Sequence, residues 1–157
     1  MALEYTIPWF LAPTPMPSLG GGRRRYRPVI TVRVTGPRGQ ETTQITVDSA
    51  SDDIVLSVRQ AQRLGIDLSH APVRTSLGVG ISQATPLAFA PVILHLNDGK
   101  ESCRWRAVVG FVPVLPRFAL FGIAGGLEHF RAIIDVGDRK LLMDPKPSLP
   151  RTQDALP

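Results

Sequence analysis

Apolar and polar positions alternate along much of the chain. Ile30, Val32 and Val34 alternate with Thr31, Arg33 and Thr35, the period-two pattern of a strand with one buried face. Gly36-Pro37-Arg38-Gly39 is a turn sequence, and Thr42 to Val47 predicts a returning antiparallel strand. Ser57 is a good helix N-cap; Val58, Ala61 and Leu64 then share one face of a short helix that Gly65 closes. From Val73 to Leu96 the pattern predicts a long hairpin with its tip at Gly78-Val79-Gly80-Ile81-Ser82-Gln83-Ala84. Pro86 and Pro91 place its second arm at a sheet edge or a bulge.

Asn97-Asp98-Gly99 is a strong hairpin turn. In the strand after it, Cys103, Trp105, Ala107, Val109 and Phe111 occupy one face, with Arg104 and Arg106 on the other. Pro113 to Pro116 bends the chain, and Phe118 to Ile123 is an apolar run of the kind found in fully buried strands. Residues 125–130 predict one or two helical turns. Ala132 to Val136 and Leu141 to Met143 predict a last hairpin about Gly137-Asp138. Residues 1–27 read as an extension outside the core, because Pro8, Pro13, Pro15 and Pro17 interrupt regular ladders and Gly20-Gly21-Gly22 is a flexible joint. The ordered domain is then 28–146, and the proline-rich residues 147–157 are a tail.

Composition sharpens this picture. A chain of 157 residues that is 43% hydrophobic can build one ordinary core. Few aromatics, with Gly 14 and Pro 15, favour a β-rich, turn-rich fold. The lone Cys103 excludes an intrachain disulfide and a cysteine zinc cluster; its place on the apolar phase makes it a small core residue. His70, His95 and His129 are scattered as surface or turn residues, so neither a metal nor a cofactor is expected. The net charge of +5 comes largely from Arg23-Arg24-Arg25 and Arg27. Without interleaved aromatics that run reads as a solvated linker, and nucleic acid is not an expected partner. No apolar run nears the roughly 18 residues that span a bilayer. Residues 7–16 are too proline-broken for a signal peptide, so a cytoplasmic protein without membrane association is expected.

The chemistry concentrates in one stretch. Ile45-Thr46-Val47 leads as a strand into Asp48-Ser49-Ala50-Ser51-Asp52-Asp53, and Ile54-Val55-Leu56 resumes the apolar run. Small residues let the backbone turn sharply and let another chain approach, which would leave Asp48 at a strand end, held by hydroxyls and amides.

This stretch resembles the active-site loop of the retroviral-type (retropepsin-like) aspartic proteases, whose pattern is Asp-Thr/Ser-Gly-Ala/Ser followed by Asp-Asp and an apolar run. Asp48, Ser49, Ser51, Asp52, Asp53 and Val55 match; Ala50 stands where the family has Gly. The segment Leu120-Phe121-Gly122, followed by Gly126-Leu127-Glu128-His129-Phe130, looks like the family's closing motif. The resemblance runs over roughly residues 28–145 and is that of a bacterial-type single-domain member. It implies an all-β fold, a small closed barrel-like domain with one or two short helices. It also implies a homodimer in which two Asp48 carboxylates activate a water that hydrolyses a peptide bond. By position, Ser49 would brace the two loops and Ala50 would lie against substrate. Ser51, Asp52 and Asp53 would support the loop and meet substrate or a basic residue. Gly78, Val79, Gly80 and Ile81 would form a flap over an extended peptide or unfolded protein substrate. Two departures matter. The methyl of Ala50 restricts φ and pushes toward substrate, and Ile123 replaces the arginine that in viral members pairs with the acidic residue after the loop. The alternative is a weakly active or inactive peptide-binding or scaffold module on the same fold.

Overall fold

The structure, a computed structural model, describes residues 2–76, 84–114 and 118–153. Its strands, in chain order, are β1 (Leu3–Thr6), β2 (Trp9–Leu11), β3 (Arg24–Tyr26), β4 (Val29–Gly36), β5 (Gly39–Val47), β6 (Val55–Ser57), β7 (Val73–Ser76), β8 (Thr85–Asn97), β9 (Ser102–Val112), β10 (Ala119–Phe121), β11 (Phe130–Asp135) and β12 (Lys140–Pro145). One helix, α1 (Val58–Leu64), and two short 3-10 turns at Pro17–Leu19 and Leu127–His129 complete the described residues.

The alternation seen in the sequence closes a barrel. Strands β4, β5, β10, β6, β9 and β8 are neighbours in that order, and β8 returns to pair with β4. One face of each strand fills the interior: Val32 and Val34, Ile45, Val92, Leu94 and Leu96, Trp105, Val109 and Phe111, and Phe121 are all buried. Burying each large apolar side chain contributes about 1.5–3 kcal/mol. Cys103 belongs to this core, and burial pushes its thiol up to about 11.

Helix α1 forms as its signals require. Ser57 and Gln60 make a reciprocal capping box, and Gly65 ends the helix in the left-handed region at φ 71°. Arg63 reaches Glu41 of β5 through two hydrogen bonds of 2.5 and 3.0 Å, which ties the helix to the barrel wall.

Two expectations change. The second arm of the long hairpin, β8, is not an edge strand: it lies between β7 and β9 and also touches β4. Its prolines are tolerated because each falls where β8 has a neighbour on one side only. Pro86 faces β7 before the β9 ladder begins at Ala88, and Pro91 faces β9 in the gap between the β7 and β4 pairings. The absent N–H therefore costs no ladder bond.

Residues 1–27 also do not stand apart from the core. β1 pairs with β12, β2 pairs with β3, and Leu3, Ile7 and Ala12 are buried. The prolines punctuate these pairs instead of blocking them, since Pro8 separates β1 from β2 and the others lie in the β2–β3 connection. At the other end Leu149 is buried and the amide of Thr152 bonds the carbonyl of Arg104 at 3.0 Å.

The first strand is pinned by one carboxylate. Asp98 accepts from the amides of Glu101 at 2.7 Å, Glu4 at 2.8 Å and Lys100 at 2.8 Å, and these bonds hold its pKa at about 2. A carboxyl lowered in the folded state stabilises fully above its ordinary value of about 4 and loses that contribution as pH falls toward 2. Acidification through that window, or Asp98→Ala at neutral pH, is expected to speed amide hydrogen exchange in β1 while the β4–β5 hairpin stays protected.

Candidate active site

The acidic stretch sits where three short elements cross. β5 delivers Asp48, and the loop 48–54 leads into β6. β10 lies between β5 and β6, parallel to the first and antiparallel to the second, so its end at Phe121-Gly122 passes beneath the loop. The amide of Asp48 donates to the carbonyl of Phe121 at 3.1 Å. On the other side the amides of Ile123 and Ala124 donate to the carbonyls of Ser51 and Asp52 at 2.9 and 2.8 Å.

Glycine at 122 is required by this crossing. A Cβ there would lie 2.2 Å from the carbonyl oxygen of Asp53 and 2.5 Å from that of Ser51. Gly126 likewise leaves room for the carbonyl of Gly122, 2.5 Å from where its Cβ would be. The segment is held from below. Trp105 donates its indole N–H to the carbonyl of Gly125 at 2.8 Å, and Phe130 packs edge-on against Trp105 and Phe121 at centroid distances of 5.4 and 6.1 Å.

Within the loop, Asp48 is half-buried and its Oδ1 accepts from the amide of Ala50 at 2.9 Å. Ser51 Oγ donates to the carbonyl of Asp53 at 2.7 Å. Ser49 and Ala50 are exposed. Ala50 is not strained: among the described residues Arg139 is the sole non-glycine with positive φ. The methyl therefore fits the loop's own backbone, and any cost must come from what approaches it from outside.

One residue of the site was missed in the sequence. Arg74, on β7, reaches across from the long hairpin to form an ion pair with Asp53, with Asp52 3.9 Å away. Its guanidinium also lies 5.8 Å from the ring of Phe89. Ile123 leaves the acidic pair without an arginine from its own segment, and Arg74 supplies the charge from a different strand. The signal was an arginine on the exposed phase of the hairpin arm, which sequence alone cannot aim. The hairpin itself forms, with β7 against β8, while Gly78, Val79, Gly80 and Ile81 lie outside the described residues.

Other titratable groups do not join the site. His95 is a half-exposed residue of strand β8, not of a turn, opposite Arg33 of β4 and Arg104 of β9; burial first, and then those two charges, lower its pKa. Among the described residues no three His, Cys, Asp or Glu side chains gather to hold a metal ion. No helix among them is long and apolar enough to cross a membrane.

Among solved structures, the chain is similar to a retropepsin-like aspartic protease from Rickettsia conorii, with a TM-score of 0.54 at 19% identity, over 91% of each chain. The fold is retropepsin-like. A second similar structure is EIAV protease complexed with the inhibitor HBY-793, with a TM-score of 0.40 at 15% identity, over 61% of this chain and 81% of that one. No protein-family model and no curated protein sequence matches. In the retropepsin-like barrel β10 can lie between β5 and β6 only if Gly122 is bare, and the turn that follows can close on Gly122 only if Gly126 is bare too.

Two substitutions test this geometry. Gly122→Ala forces backbone oxygens apart and is expected to destabilise by at least about 1–3 kcal/mol, read as a lower urea midpoint. Arg74→Ala removes a pair whose arginine is half-exposed while Asp53 is largely covered, so global stability should fall by about 1 kcal/mol. Hydrogen exchange in β7 should nevertheless rise, because its side-chain tie to the loop is gone.

Proposed function

We propose that this chain is an aspartic endopeptidase that works as a homodimer, with Asp48 of each copy supplying half of the catalytic pair. The observation that carries this reading is the half-buried Asp48 on a loop anchored to the threaded glycine strand. It lies beside an acidic pair of which Arg74 neutralises one carboxylate, that of Asp53.

Peptide hydrolysis by acid-base chemistry needs one carboxylate to take a proton from water and another to give one to the carbonyl oxygen. One protomer has a single such Asp. A two-fold axis through the site supplies the other. Two carboxylates that close cannot comfortably both ionise, so they share a proton and titrate as a pair. Water held between them attacks the scissile carbonyl carbon, giving its proton to the ionised Asp48. The protonated partner hydrogen-bonds the oxygen as the tetrahedral centre forms. The proton on the first Asp48 then passes to the leaving nitrogen, and the C–N bond breaks.

Substrate would bind extended, adding as a strand between the loop and the long hairpin, with main-chain bonds for affinity and alternate side chains in pockets. Arg74 would fix the base of that hairpin against Asp53. Gly78 to Ile81 at its tip would cover the peptide. Ser49 would brace one loop against its copy across the axis. The exposed methyl of Ala50 supports a second reading, a module that binds peptides but cleaves them weakly or not at all.

Incubation with an unfolded protein between pH 3 and 7 separates the two. Cleavage is expected, sensitive to a transition-state-mimic inhibitor, and Asp48→Asn should reduce it below detection while the dimer stays folded. Cleavage surviving that change would remove Asp48 from the chemistry. Peptide binding without inhibitor-sensitive cleavage would favour the module.

A further inference from the structure

Arg23, Arg24 and Arg25 read in the sequence as part of a solvated linker. In the structure they belong to a folded arm: β3, which carries Arg24 and Arg25, pairs with β2. The connection between the two strands stands out from the barrel, with residues 13–15 and 17–24 all exposed. Its root is fixed by the buried Ala12 and by Phe10, whose ring centre lies 4.9 Å from that of Phe118. Arg23 donates through Nε to the carbonyl of Ala12 at 2.9 Å. Toward the tip the amides of Ala12, Met16, Leu19, Gly20, Gly21 and Gly22 all donate to carbonyls within the arm. Pro13, Pro15 and Pro17 have no N–H to satisfy. A mere spacer needs none of those bonds.

The arm shows two kinds of side chain to its surroundings. Trp9, Leu11 and Leu19 are 42%, 52% and 44% exposed. Residues directly opposite one another in paired strands share a face, so Trp9, Leu11, Arg24 and Tyr26 lie on one side of the arm. There the Arg24 guanidinium sits 4.3 Å from the centre of the Trp9 ring. The charge is all of one sign. No carboxylate occurs between Glu4 and Glu41 in the sequence. Among the described residues, none pairs with Arg23, Arg24 or Arg25.

Apolar side chains beside unpaired arginines match the interface of an anionic bilayer. Tryptophan settles at the level of the headgroups, leucine reaches the acyl boundary, and basic side chains meet lipid phosphates. Backbone enters that layer at low cost only where its polar groups are already bonded, and here the internal bonds and the prolines meet that condition. Nucleic acid is matched less well: Arg24 covers one face of Trp9, and Leu11 and Leu19 offer no ring for a base to stack on. We propose that the β2–β3 arm docks this chain on an anionic membrane surface, with Trp9, Leu11 and Leu19 entering the interface and Arg23 and Arg24 on the headgroups. The arm rests on a bilayer without crossing it, and neither the surface nor its test involves Asp48.

Co-flotation of the full chain with lipid vesicles tests this. Vesicles of phosphatidylcholine and phosphatidylglycerol in equal parts should bind at least about tenfold more tightly than phosphatidylcholine alone, and added salt should weaken the binding. Each arginine beside an anionic bilayer contributes about fivefold, so Arg23→Gln with Arg24→Gln should cost at least about tenfold. Leu11→Ser with Leu19→Ser, which leaves the charge untouched, should also cost at least about tenfold. Unchanged urea midpoints separate these losses from a loss of fold. Independently, bromine on the lipid acyl chains should quench Trp9 in the unaltered chain, and Trp9→Phe should abolish the quenching because Trp105 is fully buried. Failure to bind the anionic vesicles, or binding without quenching, would overturn the proposal. So would binding that survives both pairs of substitutions, which would place the contact elsewhere. If the leucine variant binds vesicles like the wild type and the arginine variant loses vesicles and a single-stranded oligonucleotide alike, the arm is a general polyanion surface and membrane docking is overturned.

Discussion

The carbonyls of Ser51 and Asp53 close over the Cα of Gly122, leaving no space for a side chain. Everything about the site follows from that approach. Because β10 can slide under the loop, its amides and carbonyls bond both arms of it, to Asp48 on one side and to Ser51 and Asp52 on the other. A loop of small and acidic residues, with almost no apolar surface of its own, is thereby given a fixed shape by main-chain bonds. Those bonds hold their strength because the aromatic group of Trp105, Phe121 and Phe130 lies beneath them and keeps water away.

Charge is the second constraint. Three carboxylates fall within six residues, and like charges so close repel. Asp53 is relieved by Arg74, which also lies near Asp52. The relief comes from β7, so the electrostatics of the loop are tied to the position of the hairpin. In the proposed reaction this has a use. An arginine from the loop's own segment would balance the charge whether or not the hairpin was in place. Arg74 on β7 offsets part of it through a strand that pairs with β8, so the charge of the loop depends on the β7–β8 hairpin. Asp48 has no ion pair among the described residues, and its Oδ1 accepts the amide of Ala50.

Much of this was legible in the chain. The β4–β5 hairpin, the capped helix and the Cys103-to-Phe111 strand each followed from a local rule, and Asp98-Gly99 gave its turn directly. The acidic loop and Gly122 were visible as types of residue in an order, which is why the barrel could be expected from them. What escaped was set by distant partners. Residues 1–27 read as an extension because of their prolines and glycines, and only β12 gives β1, with the buried Leu3, its place. Pro86 and Pro91 signalled an edge correctly but locally: β8 lacks one neighbour at each proline and gains it a few residues later. Arg74 could not be aimed, because its partner is twenty-one residues away and reached only through the hairpin's fold.

The two ends of the chain now bear on the site. β1 and β12 form one sheet with β11, and β11 begins on the aromatic group that supports the glycine segment. With β1 in place the two edges of that sheet are β1 and β11. Residues 1–27 bear on the site through packing: Leu3 and Ile7 are buried in the same core as Trp105, Phe121 and Phe130. Loosening β1 would therefore open the core beneath Gly122, so residues that touch no part of the acidic loop help to fix its shape.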